Sequence, residues 1–123
     1  MLSYLLSHVK LGARVNDKDE LDQTLLHVAA RAGNERMIFE LAGDEPGYGA
    51  DVNSVDAQKN TPLHVATKEN KPSAARFLVS VGAEISIRNV DFDTPLHIAV
   101  QAGNLRTCKD LLLKGANRKW KNE

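Results

Sequence analysis

The chain has 123 residues, of which 42% are hydrophobic and 26% charged, and its formal net charge is zero. This composition is typical of a soluble single domain, and it argues against disorder and against a general attraction to nucleic acid or membrane. The charge is unevenly divided, because residues 1–61 hold 6 Lys and Arg against 10 Asp and Glu, whereas residues 62–123 hold 10 against 6.

The first fifteen residues, MLSYLLSHVKLGARV, contain an apolar run that is broken by Ser3, Ser7, His8 and Lys10 and has no basic lead-in. They therefore do not read as a secretory signal. No other stretch approaches the roughly eighteen apolar residues of a membrane span. A single cysteine, Cys108, cannot form an internal disulfide, which favours a reducing compartment. We expect no membrane contact and a cytoplasmic or nuclear location.

One phrase of eleven residues occurs three times: TLLHVAARAGN at 24–34, TPLHVATKENK at 61–71 and TPLHIAVQAGN at 94–104. Its threonines, Thr24, Thr61 and Thr94, are separated by 37 and 33 residues. Gly-Ala pairs at Gly12, Gly49, Gly82 and Gly115 keep the same register. The four extra residues of the longer interval therefore lie between the first phrase and Gly49.

Each phrase predicts a short first helix. Its threonine can accept hydrogen bonds from the free N–H groups of the first turn, and Pro62 and Pro95 suit the first helical position. Gly33, Asn70 and Gly103 stand where a left-handed residue would end the helix.

A second helix is predicted over ERMIFELA, SAARFLVS and LRTCKDLLLK, closing at the glycine of the next Gly-Ala pair. The segments between that glycine and the next threonine, such as ADVNSVDAQKN, are too short and polar for a third helix. We expect an extended arm and a turn there.

The T-P-L-H phrase at this spacing resembles the ankyrin repeat. The resemblance implies an all-α solenoid of stacked helix pairs with β-hairpin-like connecting loops, forming a single domain over residues 1–123. The units fall at 1–18 (partial), 19–55, 56–88 and 89–121. Both ends look cut, as in a piece of a longer array. Asp22, Lys59 and Phe92 stand where the family usually has a turn glycine, so we expect looser turns.

The phrase histidines, His27, His64 and His97, raise the question of a metal site. Equivalent residues of stacked helices lie about 8 to 10 Å apart, whereas two histidines that share a zinc ion must each reach it at about 2 Å. The resemblance implies a structural role in the loop network between units. We therefore predict no metal, no cofactor and no catalytic residue. Cys108, whose equivalent positions hold Ile38 and Ala75, reads as a core thiol rather than a nucleophile.

Two further features have functional and structural interpretations. Trp120, flanked by Lys119 and Lys121, could stack on a nucleic-acid base. We favour the interpretation that Trp120 is a hairpin-arm residue that packs on the last unit. The insertion GDEPGYG carries Asp44, Glu45 and Tyr48. It is either tolerated length variation or a contact element.

The predicted function is non-enzymatic binding of a protein partner through the concave face of the stack. By resemblance to the ankyrin pattern, the contact positions lie before each phrase and on the first helices. They are Glu20, Leu21, Gln23, Arg31, Ala57, Gln58, Asn60, Lys68, Glu69, Val90, Asp91, Asp93 and Gln101, with Ala32 and Ala102 beside them.

Two alternatives remain open. The array could be the targeting module of a longer enzyme or signalling protein. Two features of the sequence are also similar to those of inhibitors of the NF-kappaB transcription factors. They are the Asn-x-Pro that opens one second helix and the lengthened unit before it. No acidic tail or phosphodegron accompanies that likeness. We also expect self-association through uncapped ends, since natural arrays end in polar capping units.

Overall fold

A computed structural model describes residues 15–43 and 49–122 of the chain, with side chains described up to residue 115. Six helices lie within these ranges and no strand is present in them: α1 (Leu25–Ala32), α2 (Glu35–Ala42), α3 (Pro62–Lys68), α4 (Pro72–Ser80), α5 (Pro95–Ala102) and α6 (Leu105–Asn122). The odd-numbered helices stack on one another, and so do the even-numbered ones. The all-α architecture predicted from the repeat is confirmed.

The first helices begin as predicted. In each of them the phrase threonine is the N-cap, and its hydroxyl accepts from the backbone N–H of the phrase histidine. Pro62 and Pro95 occupy the first helical turn. A proline there sacrifices no helical hydrogen bond, because the N–H groups of the first turn have no partner within the helix.

The first helices also end as predicted, at Gly33, Asn70 and Gly103, which have φ angles of 70°, 57° and 71°. Each of these residues donates its N–H to the carbonyl three residues back, and the next residue donates to the carbonyl five back. This is the Schellman pattern, which satisfies carbonyls left open at a helix end. Asparagine replaces glycine in the middle unit because its side chain tolerates the left-handed region.

The prediction for the second helices is only partly right. Helix α4 stops just before Gly82, whose φ is 102°. Helix α2 covers the predicted stretch ERMIFELA and ends at Ala42, but its C-cap is Gly43 rather than the predicted Gly49. Helix α6 runs through Gly115 to Asn122, so Trp120 lies on a helix and not on an extended arm. Its side chain lies outside the described part.

At two of the junctions, an asparagine of one unit bonds the arm of the next. Asn16 bonds Gly49 and Asp51 of the following arm, and Asn53 accepts from the N–H of Glu84 at 2.8 Å. The equivalent position one unit later is Ser86, whose hydroxyl bonds the side chain of Glu84. The third unit thus has no asparagine at this position, and there the chain continues as a helix through Gly115.

The hairpin turns are tight, so the expectation of looser turns is wrong. In each, a side-chain oxygen of Asp19, Asp56 or Asn89 accepts the N–H groups two and four residues further on. The three-residue loop then closes through a left-handed residue at Asp22, Lys59 or Phe92, with φ of 60°, 63° and 63°. Such a loop normally takes glycine at that position. The turn geometry is thus kept at the cost of backbone strain.

The core runs along the stack between the helix layers. Leu26 and Leu63 anchor the first helices, while Ile38, Leu78 and Leu111 anchor the second ones, and all five are 2% exposed or less. Cys108 is half-buried and packs against this core. Its equivalents Ile38 and Ala75 are buried, which agrees with the interpretation of Cys108 as a packing residue.

Candidate functional site

A groove follows the face that the hairpins and the first helices form together. It consists of two adjoining cavities of about 190 Å³ each. The first lies between the first and second hairpins and the second between the second and third, so that Gln58, Asn60 and Lys68 line both. The hairpins are held side by side by backbone bonds from Ala57 to Leu21 and from Val90 to Gln58, at 3.1 and 3.0 Å.

The structure brings together nearly all of the contact positions that the sequence suggests. Those that line the groove are Leu21, Gln23, Arg31, Ala57, Gln58, Asn60, Lys68, Glu69, Val90, Asp91, Asp93 and Gln101. Glu20 is exposed on the first hairpin but lines neither cavity. Ala32 and Ala102, at the ends of their helices, are also exposed and line neither cavity.

Four groove residues were missed in the sequence. Val65 and Ile98 form part of its wall, and they were overlooked because an apolar residue inside a helical phrase reads as core. Asp56 and Asn89 shape the hairpins beside the groove. A visible signal existed for these two, since an Asp or Asn stands five residues before every phrase threonine.

Side chains of both signs line both cavities of the groove. The guanidinium of Arg31 lies near the first hairpin and donates to the side chain of Gln23 at 3.0 Å, in a cavity that Asp56 and Glu69 also line. Lys68 lies at the centre, exposed and without an ion pair to any described residue. The second cavity adds the carboxylates of Asp91 and Asp93. A bound chain would therefore meet cations and carboxylates along the whole groove.

The phrase histidines lie behind the groove and join consecutive units. His27 Nε2 is 2.8 Å from the carbonyl oxygen of Asn60, and His64 Nε2 is 2.9 Å from that of Asp93. Since the partner is a carbonyl, Nε2 carries the proton and donates. The other ring nitrogen, Nδ1, accepts from the N–H of Thr24 or Thr61 at 3.1 Å. Both nitrogens thus serve the fold.

Burial lowers the pKa of His27 and of His64 below the ordinary value of 6.5, and it outweighs the opposing effect of their carbonyl partners, Asn60 and Asp93. The neutral ring also fits the geometry, because protonation would turn Nδ1 from an acceptor into a donor facing another N–H. The histidines of the two junctions are therefore neutral near pH 7.

In the last unit, the phrase histidine has no partner across a junction among the described residues. His97 keeps its Nδ1 bond to Thr94 at 3.1 Å, but its ring is exposed and its Nε2 has no partner among the described residues. Val100 is 63% exposed, whereas its equivalents Ala30 and Thr67 are 0% exposed. The surface that stacks in the other two units is therefore uncovered here.

The described ranges lack the features of a metal site or of a membrane-spanning helix. No group of three or more His, Cys, Asp or Glu that could hold a metal lies in them, and none of their helices is long and apolar enough to cross a membrane. A shallow hollow on the opposite side is lined by Phe39 and Phe77, whose rings meet edge to face at 5.9 Å. Asp44, Glu45 and Tyr48 of the insertion lie outside the described residues.

Stacked helix pairs with hairpins on one side and a groove along the inner face define a helical repeat solenoid. The family model for ankyrin repeats (3 copies) matches residues 1–89 and residues 48–122. The chain therefore belongs to the ankyrin repeat family.

Similar proteins are of several kinds. The human transient receptor potential cation channel subfamily A member 1 is 33% identical over 110 residues, which are 89% of this chain and 10% of that protein. Human protein phosphatase 1 regulatory subunit 27 is 39% identical over 66 residues, covering 54% of this chain and 40% of that protein. The tyrosine-protein kinase Shark of Drosophila melanogaster is 36% identical over 107 residues, 85% of this chain and 11% of that protein. The chain spans less than half the length of each of these relatives.

Proposed function

We propose that this chain is a non-enzymatic scaffold that binds a protein partner along the groove of its concave face. The observation that carries the proposal is the groove itself, which is continuous across two unit junctions and is lined by exposed residues of both signs. Ankyrin repeats generally mediate interactions between proteins, and the regulatory-subunit relative fits a binding role.

The energetics of such a contact follow from its composition. An interface of standard size buries about 800 Å² on each partner. Exposed cations such as Arg31 and Lys68 would mainly set the orientation and the association rate. Val65 and Ile98 line the groove with apolar surface that a partner could contact. None of this requires a cofactor or a bound metal.

The test reverses the two cations that line the groove, Arg31 and Lys68. Arg31→Glu combined with Lys68→Glu should weaken binding of a partner isolated by pull-down at least tenfold, or about 1.4 kcal/mol. Melting should shift little, because changes of exposed side chains usually stay within about 0.5 kcal/mol. Titration and melting curves on the same samples measure both quantities.

A matched control reverses two exposed cations on the second helices, Arg36→Glu with Lys109→Glu. This variant makes the same change in net charge away from the groove, so it should bind like the wild type. Equal binding by the groove variant would place the contact surface elsewhere. A collapse of its melting temperature would mean that these side chains support the fold.

A second candidate is a targeting module within a longer enzyme or signalling protein. The names of the relatives favour it, since a channel, a kinase and a phosphatase regulatory subunit each contain a region like this one. Binding to a transcription factor, as in the NF-kappaB inhibitors, is a narrower variant that rests on the Asn-x-Pro of Asn70 and Pro72 and on the lengthened unit before it. The full-length reading frame and the cellular location of the tagged protein, expected in cytoplasm or nucleus, separate these variants.

A further inference from the structure

The third hairpin holds a bulky side chain where the backbone favours none. Phe92 has a φ of 63°, in the left-handed region where a Cβ is crowded by the neighbouring carbonyl. Asp22 occupies the same position in the first hairpin, and Asp tolerates it better because its short polar side chain can bond locally. A phenylalanine there is a genuine outlier.

The fold gains little from this side chain in return. Phe92 is 73% exposed, and the one ring pair among the described residues joins Phe39 to Phe77 elsewhere. Val90, two residues earlier on the same hairpin, is 49% exposed. Residues held in such sparsely populated backbone regions cluster at functional sites, including those that contact ligands.

The neighbouring charges narrow the chemistry of that molecule. Asp91 and Asp93 flank Phe92 in the sequence, and neither forms an ion pair with a described residue. Asp93 is engaged through its backbone carbonyl with His64, which leaves its carboxylate available. An aromatic ring between two carboxylates complements an apolar cleft with cationic side chains at its rim.

We propose that Phe92, supported by Val90, is the anchor that enters an apolar cleft on the protein partner, and that Lys or Arg side chains surround this cleft. The inference rests on the proposed function, because it names the anchor and the partner chemistry at the third hairpin, beside the groove that Val90, Asp91 and Asp93 line. Aromatic anchors in desolvated pockets carry much of the binding energy of protein interfaces.

The decisive variant is Phe92→Gly, which removes the ring and relieves the backbone at once. The melting temperature should rise, while the affinity for the partner should fall at least tenfold. Lys59→Gly is the matched control, because Lys59 has the same φ of 63° at the equivalent position of the middle hairpin and is also exposed, but it carries no aromatic ring. It should raise the melting temperature and leave the affinity within about twofold.

The probe is the full chain with p-benzoylphenylalanine in place of Phe92, irradiated in extract of the cells that produce it. The same group in place of Lys59 is the control. The crosslinked partner is identified, its attachment point is mapped, and the purified partner is titrated against the variants. We expect attachment inside an apolar cleft bordered by Lys or Arg.

Three results would overturn the inference. These are unchanged affinity of Phe92→Gly, a fall in its melting temperature, or attachment to a polar or acidic surface. A partner that is lost with the Arg31 and Lys68 reversal but kept with Phe92→Gly would leave the proposed function standing without this anchor. A partner lost with Phe92→Gly but kept with the reversal would instead count against the central groove.

Discussion

Each buried phrase histidine uses its two ring nitrogens for two different bonds. In His64, Nδ1 accepts from the N-cap of its own helix and Nε2 donates to Asp93 of the next unit. One side chain thus couples a local helix start to a long-range junction. This gives the histidine a structural role at the two described junctions, those of His27 and His64.

The histidine of the middle unit should therefore matter more than that of the last. His64→Ala removes both bonds and leaves the buried N–H of Thr61 without its acceptor, while the Asp93 carbonyl keeps only the N–H of Asn89, so unfolding should become easier by about 1 to 3 kcal/mol. His97→Ala is the matched control, because its Nε2 has no described partner, and the loss should be clearly smaller. Denaturant unfolding of both variants measures the difference. Equal losses would contradict the junction role.

The lowered pKa values predict that acid weakens the fold. Below about pH 6.5 the unfolded chain protonates His27 and His64 while the folded chain keeps them neutral, so stability falls as pH falls until the folded pKa values are reached. Each histidine contributes at most about 1.4 kcal/mol per pH unit. Unfolding midpoints between pH 7.5 and 5 should decline, less steeply in His64→Ala. A flat or rising profile would contradict the neutral state.

At the scale of helices, α6 is the element with the least support. It packs against α4 and α5, and Leu105, Leu112 and Leu113 remain exposed. We expect this end of the isolated chain to fray or to self-associate, and the amides of residues 105–113 to exchange faster than those of 72–80. Hydrogen exchange on samples of known sedimentation mass tests this. Residues 105–113 as the best protected amides of a strict monomer would contradict it.

The sequence specified the helix starts and the ends of the first helices because these depend on neighbouring residues. Thr61 caps its helix through bonds within four positions, and Gly103 ends one through its own φ. The path of the chain after the second helices could not be predicted from neighbouring residues. The arms after α2 and α4 are bonded by Asn16 and Asn53 of the preceding unit, and such long-range bonds leave no signal in the local sequence.

For the whole molecule, register is what made the groove predictable. Once the threonines were aligned, equivalent residues such as Arg31, Lys68 and Gln101 had to lie on one face, and the structure places them along the groove. The apolar wall of the groove was not predictable, because a valine such as Val65 gives no sign in the sequence of whether it faces a groove or a core. The identity of the partner is not contained in the fold either.

The most direct test of the central claim maps the partner onto this surface. Amide exchange of the chain, alone and saturated with its partner, should show protection concentrated at residues 57–60, 68–69 and 90–93, around the groove. The exposed faces of α2 and α4, including Arg36 and Arg76, should exchange as in the free chain. Protection confined to those second helices, with the groove unchanged, would contradict binding through the concave face.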